Sequence, residues 1–257
     1  MTNPQHRFSH RVEHYRKFRP TYPAGVIDLL RETIGLQPRW IIADLGSGTG
    51  ISSRLFLDQG HVVYGIEPNA PMRAAAEEEL GENPRFHSVG GTAEATTLPD
   101  HSVDLVIAAQ AFHWFDIPAT RREVIRILKP GGWAVLLWNQ RPTTGSPFLV
   151  EYEQLLQTHG KDYATIRDSH RDAGRLREFF GEAGYLERSV PNPQQLTYDE
   201  LRGRLMSASY VPLEAQPGHA NMILDLKFLF ARHAQGGVVN MDLTTELFCG
   251  QLLSPAV

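Results

Sequence analysis

Three glycines at alternate positions, Gly46, Gly48 and Gly50, follow an apolar run in "WIIADLGSGTG". Glycine adopts backbone conformations and tolerates close approaches that a Cβ forbids. A glycine-rich turn between a strand and a helix brings main-chain N–H groups against a ligand, and the helix N-terminus adds partial positive charge. Two ligand chemistries suit such a turn: a phosphate, or a carboxylate carried together with a ribose. A dinucleotide fingerprint requires G-x-G-x-x-G, yet Ile51 stands where the third glycine would fall. Glu67 ends the run "HVVYGIEP", 21 positions after Gly46, where a carboxylate can accept both ribose hydroxyls. Ribose is therefore expected, and pyrophosphate is not.

A second spacing carries different chemistry. "HRVEH", from His10 to His14, matches H-x-x-E-H and would set both histidines on one helical face. A catalytic zinc site needs a third protein ligand and a dry cleft. Here the run sits in an Arg-rich stretch just before "KFRPTYP", so it reads as a lid helix and no metal is expected. Residues Phe8 to Pro23 as a whole are expected to close over the site.

The elements that position these groups follow from periodicity. "WIIADLG", "HVVYGIEP", "RFHSVGG", "VDLVIAA" and "GWAVLLWN" are short apolar runs bounded by turn residues, as buried parallel strands are. "GVIDLLRETIG", "ISSRLFLDQG", "APMRAAAEEEL" and "ATRREVIRILKPGG" alternate with them at helical spacing. Right-handed crossovers turn this βαβαβ order into a doubly wound parallel sheet, whose ligands bind beyond the carboxyl ends of the strands. Past Asn139 helical stretches dominate and read as a cap over that edge, with "YLERSVPNPQQLT" as a proline-interrupted strand and "VVNMDLTTELFCGQLL" as a closing strand.

Composition excludes other classes. At 257 residues the chain can bury a large core without staples, and its net charge of -4 with scattered Lys and Arg provides no basic face for nucleic acid. The lone cysteine, Cys249, reads as a buried thiol, and the polar first thirty residues lack a signal-peptide core. A cytoplasmic protein with neither a membrane nor a nucleic-acid partner is expected.

Taken together, "DLGSGTG", "YGIEPNAPMRAAA", "GTAEATTLPDHSVDLVIAAQAFHWFD" and "ILKPGGWAVLLWN" resemble the class I S-adenosylmethionine-dependent methyltransferases along almost the whole chain. "YRKFRPTYP" and "QAFHWFD" look like the small-molecule branch that includes the trans-aconitate methyltransferase-like enzymes. The resemblance implies an α/β, Rossmann-like, mostly parallel seven-stranded sheet with an antiparallel last strand and helical cap insertions. A single domain over residues 1–257 would then comprise a lid and first helix (1–35), a cofactor-binding core (36–139), cap helices with strand six (140–237) and the terminal strand (238–257).

The same resemblance implies roles. Asp44, Gly46, Ser47 and Gly48 would hold the methionine end of S-adenosylmethionine, and Glu67 with Pro68 the ribose. Met72, Thr92, Ala93 and Glu94 would border the adenine. Gln110 and Tyr22 would face the methionine end, where the sulfonium favours aromatic faces. His113, Tyr15 and Tyr210 are the candidate catalytic groups. Arg19, Arg141 and Trp114 are the candidate acceptor-binding groups, because a guanidinium can hold a carboxylate bidentately. No N/D-P-P-Y/F follows the fourth strand and no Pro-Cys pair exists, so adenine, glutamine-amide and cytosine C5 methylation are not expected. Three readings remain: methyl transfer to a small-molecule acceptor, non-catalytic S-adenosylmethionine binding, and NAD-dependent oxidoreduction, which lacks its third glycine.

Overall fold

The computed structural model describes residues 12–161, 163–164 and 172–252. Two helices, α1 (Val12–Phe18) and α2 (Gly25–Ile34), precede strand β1 (Ile41–Leu45). Then come α3 (Ile51–Leu57), β2 (Val62–Ile66), α4 (Ala70–Leu80), β3 (Phe86–Val89) and β4 (Val103–Ala109). A 3-10 turn, Phe112–Trp114, leads into α5 (Ile117–Ile127) and β5 (Leu128–Gln140). The second half contributes α6 (Pro147–His159), α7 (Ala173–Phe180), β6 (Leu186–Leu196), α8 (Tyr198–Ser207), α9 (His219–His233) and β7 (Val239–Gly250). The seven strands make one sheet in the order β3-β2-β1-β4-β5-β7-β6, with β7 antiparallel to both neighbours. The order reverses between β1 and β4, so their carboxyl ends flank the crevice where ligands of such sheets bind.

Local signals explain the boundaries. Asn69 and Asp116 cap α4 and α5 by accepting from the N–H groups of Met72 and Ala119, and a proline follows each cap in the first turn. Thr197 and Glu200 form a reciprocal capping box on α8. The sheet buries both faces: one cluster gathers Val26, Ile27, Leu30 and Phe56 on β1, β4 and β5, and the other gathers Val124, Phe179, Phe180 and Trp138. A third apolar cluster joins α6, α8 and α9 to Leu196, Val239, Met241 and Leu243 at the ends of β6 and β7.

Three sequence expectations need correction. The run "LKPGG" is part of β5, where it makes a register shift: Leu128 pairs with Val103, but the next pair is Trp133 with Leu105. Gly131 turns the backbone there with φ 79°. The prolines of β6 do not interrupt it. Pro191 and Pro193 lie opposite Thr244 and Asp242 on an edge strand, where both ring nitrogens face away from β7 and no ladder hydrogen bond is lost. Nor do all the late helices cap the strand ends. Helix α7 packs on the sheet face through Leu176, Phe179 and Phe180, and burying such side chains is worth about 1.5–3 kcal/mol each.

Helix α1 buries no residue completely but lies against α8, where the Phe18 ring rests directly on Gly203. A Cβ at Gly203 would collide with that ring. Alanine improves an exposed helix by about 1 kcal/mol over glycine, whereas overpacking costs about 1–3 kcal/mol, so the collision should win. Gly203→Ala is expected to lower unfolding free energy in urea melts. In a Phe18→Ala background the same change should raise it by up to about 1 kcal/mol, and equal effects in the two backgrounds would refute the contact.

Candidate active site

The turn after β1 is left-handed at all three glycines, with φ 67° at Gly46, 57° at Gly48 and 84° at Gly50, which explains their alternation. Space also matters at Gly46, where a Cβ would come within 2.7 Å of the Ala111 Cβ. The loop is stitched to the end of β2. Gly46 and Ser47 both donate to the Ile66 carbonyl, at 2.8 and 3.2 Å. Glu67 accepts from Gly48 N–H at 2.9 Å with one oxygen and from Asn69 N–H at 2.8 Å with the other. Each oxygen keeps a lone pair for a further donor.

Asp44 lies beneath the loop, fully buried. Its Oδ2 accepts from Ser52 and Ser53, both at 2.7 Å, while Oδ1 has no hydrogen-bond partner among the described residues. Burial pushes its carboxyl up to about 6 against the pull of the two hydroxyls, and the charge of Glu67 adds to the rise. Burial likewise raises Glu67, opposed by its two backbone donors.

Two cavities meet in front of this loop. The first, of about 230 Å³, is bordered by Gly46, Gly48 and Glu67 on one side and by Met72, Thr92 and Ala93 on another. Pro68, Glu94 and Gln110 also line it. The second, of about 180 Å³, lies between the strand ends and the cap, and contains Arg19, Arg141, His113 and Tyr210. Tyr15, Gln110 and Trp114 line both. A small recess at their junction is lined by Gly46, Ser47 and Ser52 and faced by Tyr15, Arg19 and Tyr22. Gln110 holds φ 58° at the end of β4, a strained value for a side-chain-bearing residue, and its Nε2 donates to the Asn139 carbonyl at 3.3 Å.

Most of the candidate residues thus converge, with two adjustments. Asp44 lines neither cavity and supports the loop from below. Arg141 lines the second cavity, but its charge is already matched: it pairs with Glu153 at 2.5 Å, donates to the Tyr163 hydroxyl at 2.8 Å and lies over the Tyr152 ring. The residue that the sequence offered only as part of a pocket wall, with no role of its own, is Arg204. From α8 it enters the same cavity and, among the described residues, hydrogen-bonds to neutral groups: the Phe18 carbonyl, Gln194 Oε1 and the Met241 sulfur. Burial, and next the charge of Arg19, lower its pKa. Its sole advance signal was its position in "RLMSASYVP", beside Ser207, Ser209 and Tyr210 on a prospective pocket wall.

Among the described residues no group of three or more His, Cys, Asp or Glu is placed to hold a metal ion. His10 of "HRVEH" lies outside the described residues, as does the start of the lid segment at Phe8, and His14 stacks on Phe18 at 5.9 Å. Among the described residues no helix is long and apolar enough to cross a membrane.

Known proteins match this arrangement. The family described as "Methyltransferase domain" matches residues 43–136. An uncharacterized methyltransferase-like protein of Schizosaccharomyces pombe is 29% identical over 209 residues, 78% of this chain and 76% of its own length. An uncharacterized methyltransferase of Mycobacterium tuberculosis is 34% identical over 161 residues, which cover 63% of this chain and 62% of that protein. Among solved structures, a protein of Anaeromyxobacter dehalogenans assigned as a type II methyltransferase superposes with a TM-score of 0.72 at 21% identity, covering 92% of this chain and 99% of its own. Residues 43–136 thus match a methyltransferase-domain family, and the chain shares the fold of that solved structure, with its sheet order and glycine loop.

The buried Asp44 makes a pH prediction. An unperturbed aspartate ionises at 3.8 and the folded one at about 6. Between those values the folded protein retains a proton that the unfolded chain has lost, so this group's contribution to stability falls as pH rises through the window. The difference amounts to about 3 kcal/mol at most. Asp44→Asn cannot ionise, so in urea melts of the ligand-free protein it should gain on wild type from pH 4 to pH 7. A gap independent of pH would show that Asp44 ionises normally.

Proposed function

We propose that the chain transfers the methyl group of S-adenosylmethionine to a small organic acid. One observation carries the choice of acceptor. The cavity beside the glycine loop brings together three guanidiniums, Arg19, Arg141 and Arg204, against the carboxylate of Glu153, and uncompensated buried charge favours an anionic guest. The ring-bearing walls, Tyr15, Trp114 and Tyr152, suit a compact metabolite more than a polymer.

The first cavity fits the cofactor on the chemistry of its donors and acceptors. Glu67 has lone pairs directed to neither of its backbone donors, available to a ribose diol. Gly48 leaves a gap that a Cβ would fill to 3.4 Å from the Met72 methyl, and Met72 and Ala93 offer an apolar slot for a purine. When bound, the cofactor supplies an electrophilic methyl on a positively charged sulfur. The chain's task is alignment, worth roughly 7–11 kcal/mol when reactants are held in line. Tyr15, Gln110 and Trp114 form the shared wall across which donor and acceptor would face each other.

A carboxylate acceptor has no proton to lose, so no general base is required. This agrees with the phenols: burial raises both Tyr15 and Tyr210, keeping them protonated as hydrogen-bond donors. His113 lines the acceptor cavity and is the remaining group able to take a proton from a hydroxyl or amine.

Two measurements test the reading. Calorimetry should show S-adenosylhomocysteine binding and no NAD binding, with Glu67→Ala weakening the former roughly ten- to a hundredfold; unchanged affinity would remove Glu67 from the site. In an acceptor screen with methyl-labelled cofactor, small carboxylic acids should take label where their amides do not. Arg204→Met should then raise the acid's KM at least about tenfold while leaving S-adenosylhomocysteine affinity nearly unchanged. Label found only on peptides or nucleic acids would overturn the acceptor class.

A further inference from the structure

The methionine part of S-adenosylmethionine is a zwitterion, and its carboxylate needs donors or a counter-charge once out of water. The glycine loop provides few. The N–H groups of Gly46 and Ser47 are taken by Ile66, that of Gly48 by Glu67, and that of Gly50 by the Ser47 carbonyl at 2.9 Å. The buried neighbours of the loop, Asp44 and Glu67, are themselves carboxylates and would repel another. Yet the recess beside Gly46, Ser47 and Ser52 adjoins the cofactor cavity, where this end of the molecule would lie.

Arg19 is the one basic side chain lining that recess among the described residues. Its Nη2 donates to the Ser207 carbonyl at 3.2 Å, and its guanidinium lies 4.9 Å from the Tyr15 ring centroid. Its Nε is buried without a hydrogen-bond partner, and no carboxylate among the described residues pairs with it. The charges of Arg19 and Asp44 both reach the hydroxyls of Tyr15 and Tyr22, the first easing their ionisation and the second hindering it. The guanidinium therefore lies over the Tyr15 ring at the recess, placed to meet an anionic group there. The acceptor cavity, by contrast, has its own guanidinium in Arg204, which forms no ion pair with a carboxylate among the described residues.

Resting on the S-adenosylmethionine reading above, we propose that Arg19 is the counter-ion of the cofactor's carboxylate, so that the segment before α2 is part of the cofactor site. Arg19 then stops being an acceptor-binding residue, and Arg204 takes that role.

The test compares two ligands that share adenosine and thioether but differ in the amino-acid group: S-adenosylhomocysteine, and 5'-methylthioadenosine, which lacks it. Calorimetry on wild type, Arg19→Met and Arg19→Lys is the readout. Arg19→Met should weaken S-adenosylhomocysteine roughly ten- to a hundredfold and change 5'-methylthioadenosine less than about threefold, with Arg19→Lys intermediate. Equal weakening of both ligands would mean that Arg19 only supports the fold of the segment. No change for either would return it to the acceptor. Absence of S-adenosylhomocysteine binding to wild type would instead defeat the cofactor reading itself, a separate outcome.

Discussion

The site depends on the stitching of one strand end to the next. Glu67 ties Gly48 of the β1 loop to Asn69 at the start of α4 through a single carboxylate, and Ile66 takes the two preceding loop amides. The left-handed glycine turn has no regular secondary structure to hold it, so these contacts from β2 define its shape. They also leave the carboxylate with its free lone pairs as the feature offered to a ligand. The cost is two acidic groups held out of water, Asp44 and Glu67, whose raised pKa values record it. Functional sites commonly retain such unfavourable electrostatics, which a ligand of opposite charge then relieves.

The cap resolves the charge problem in the opposite sense. Three guanidiniums from three places in the chain, the segment after α1, the segment after β5 and α8, converge on one cavity while Glu153 neutralises Arg141 alone. An acidic loop and a basic cavity therefore lie side by side, with Tyr15, Gln110 and Trp114 between them. A positively charged donor group and a negatively charged acceptor would each find complementary surroundings across that wall.

What could be read in advance divides along a physical line. The doubly wound sheet and the glycine turn were readable because both are local: strands buried on two faces are continuously apolar, and positive φ demands glycine at Gly46, Gly48 and Gly50. Glu67 was readable because a strand end follows the loop at a nearly constant distance in such folds. Arg141 was not, because whether a guanidinium is free depends on a partner brought by a separate helix, here Glu153 on α6. Arg204 could be read only as part of a prospective pocket wall for the same reason, since the neutral hydrogen-bond partners that hold it come from distant segments. The place of α7 was also hidden, because an amphipathic pattern tells which face is buried but not against what.

The paired prolines of β6 have a consequence for the molecule among its copies. An exposed edge strand offers a template on which another chain can pair, extending the sheet from one molecule to the next. Along β6 the outward positions at Pro191 and Pro193 have no N–H to give, and the opposite edge, β3, is only four residues long. The rim of the sheet is therefore a poor template at both sides, and crowded copies of this chain are kept from growing into one another.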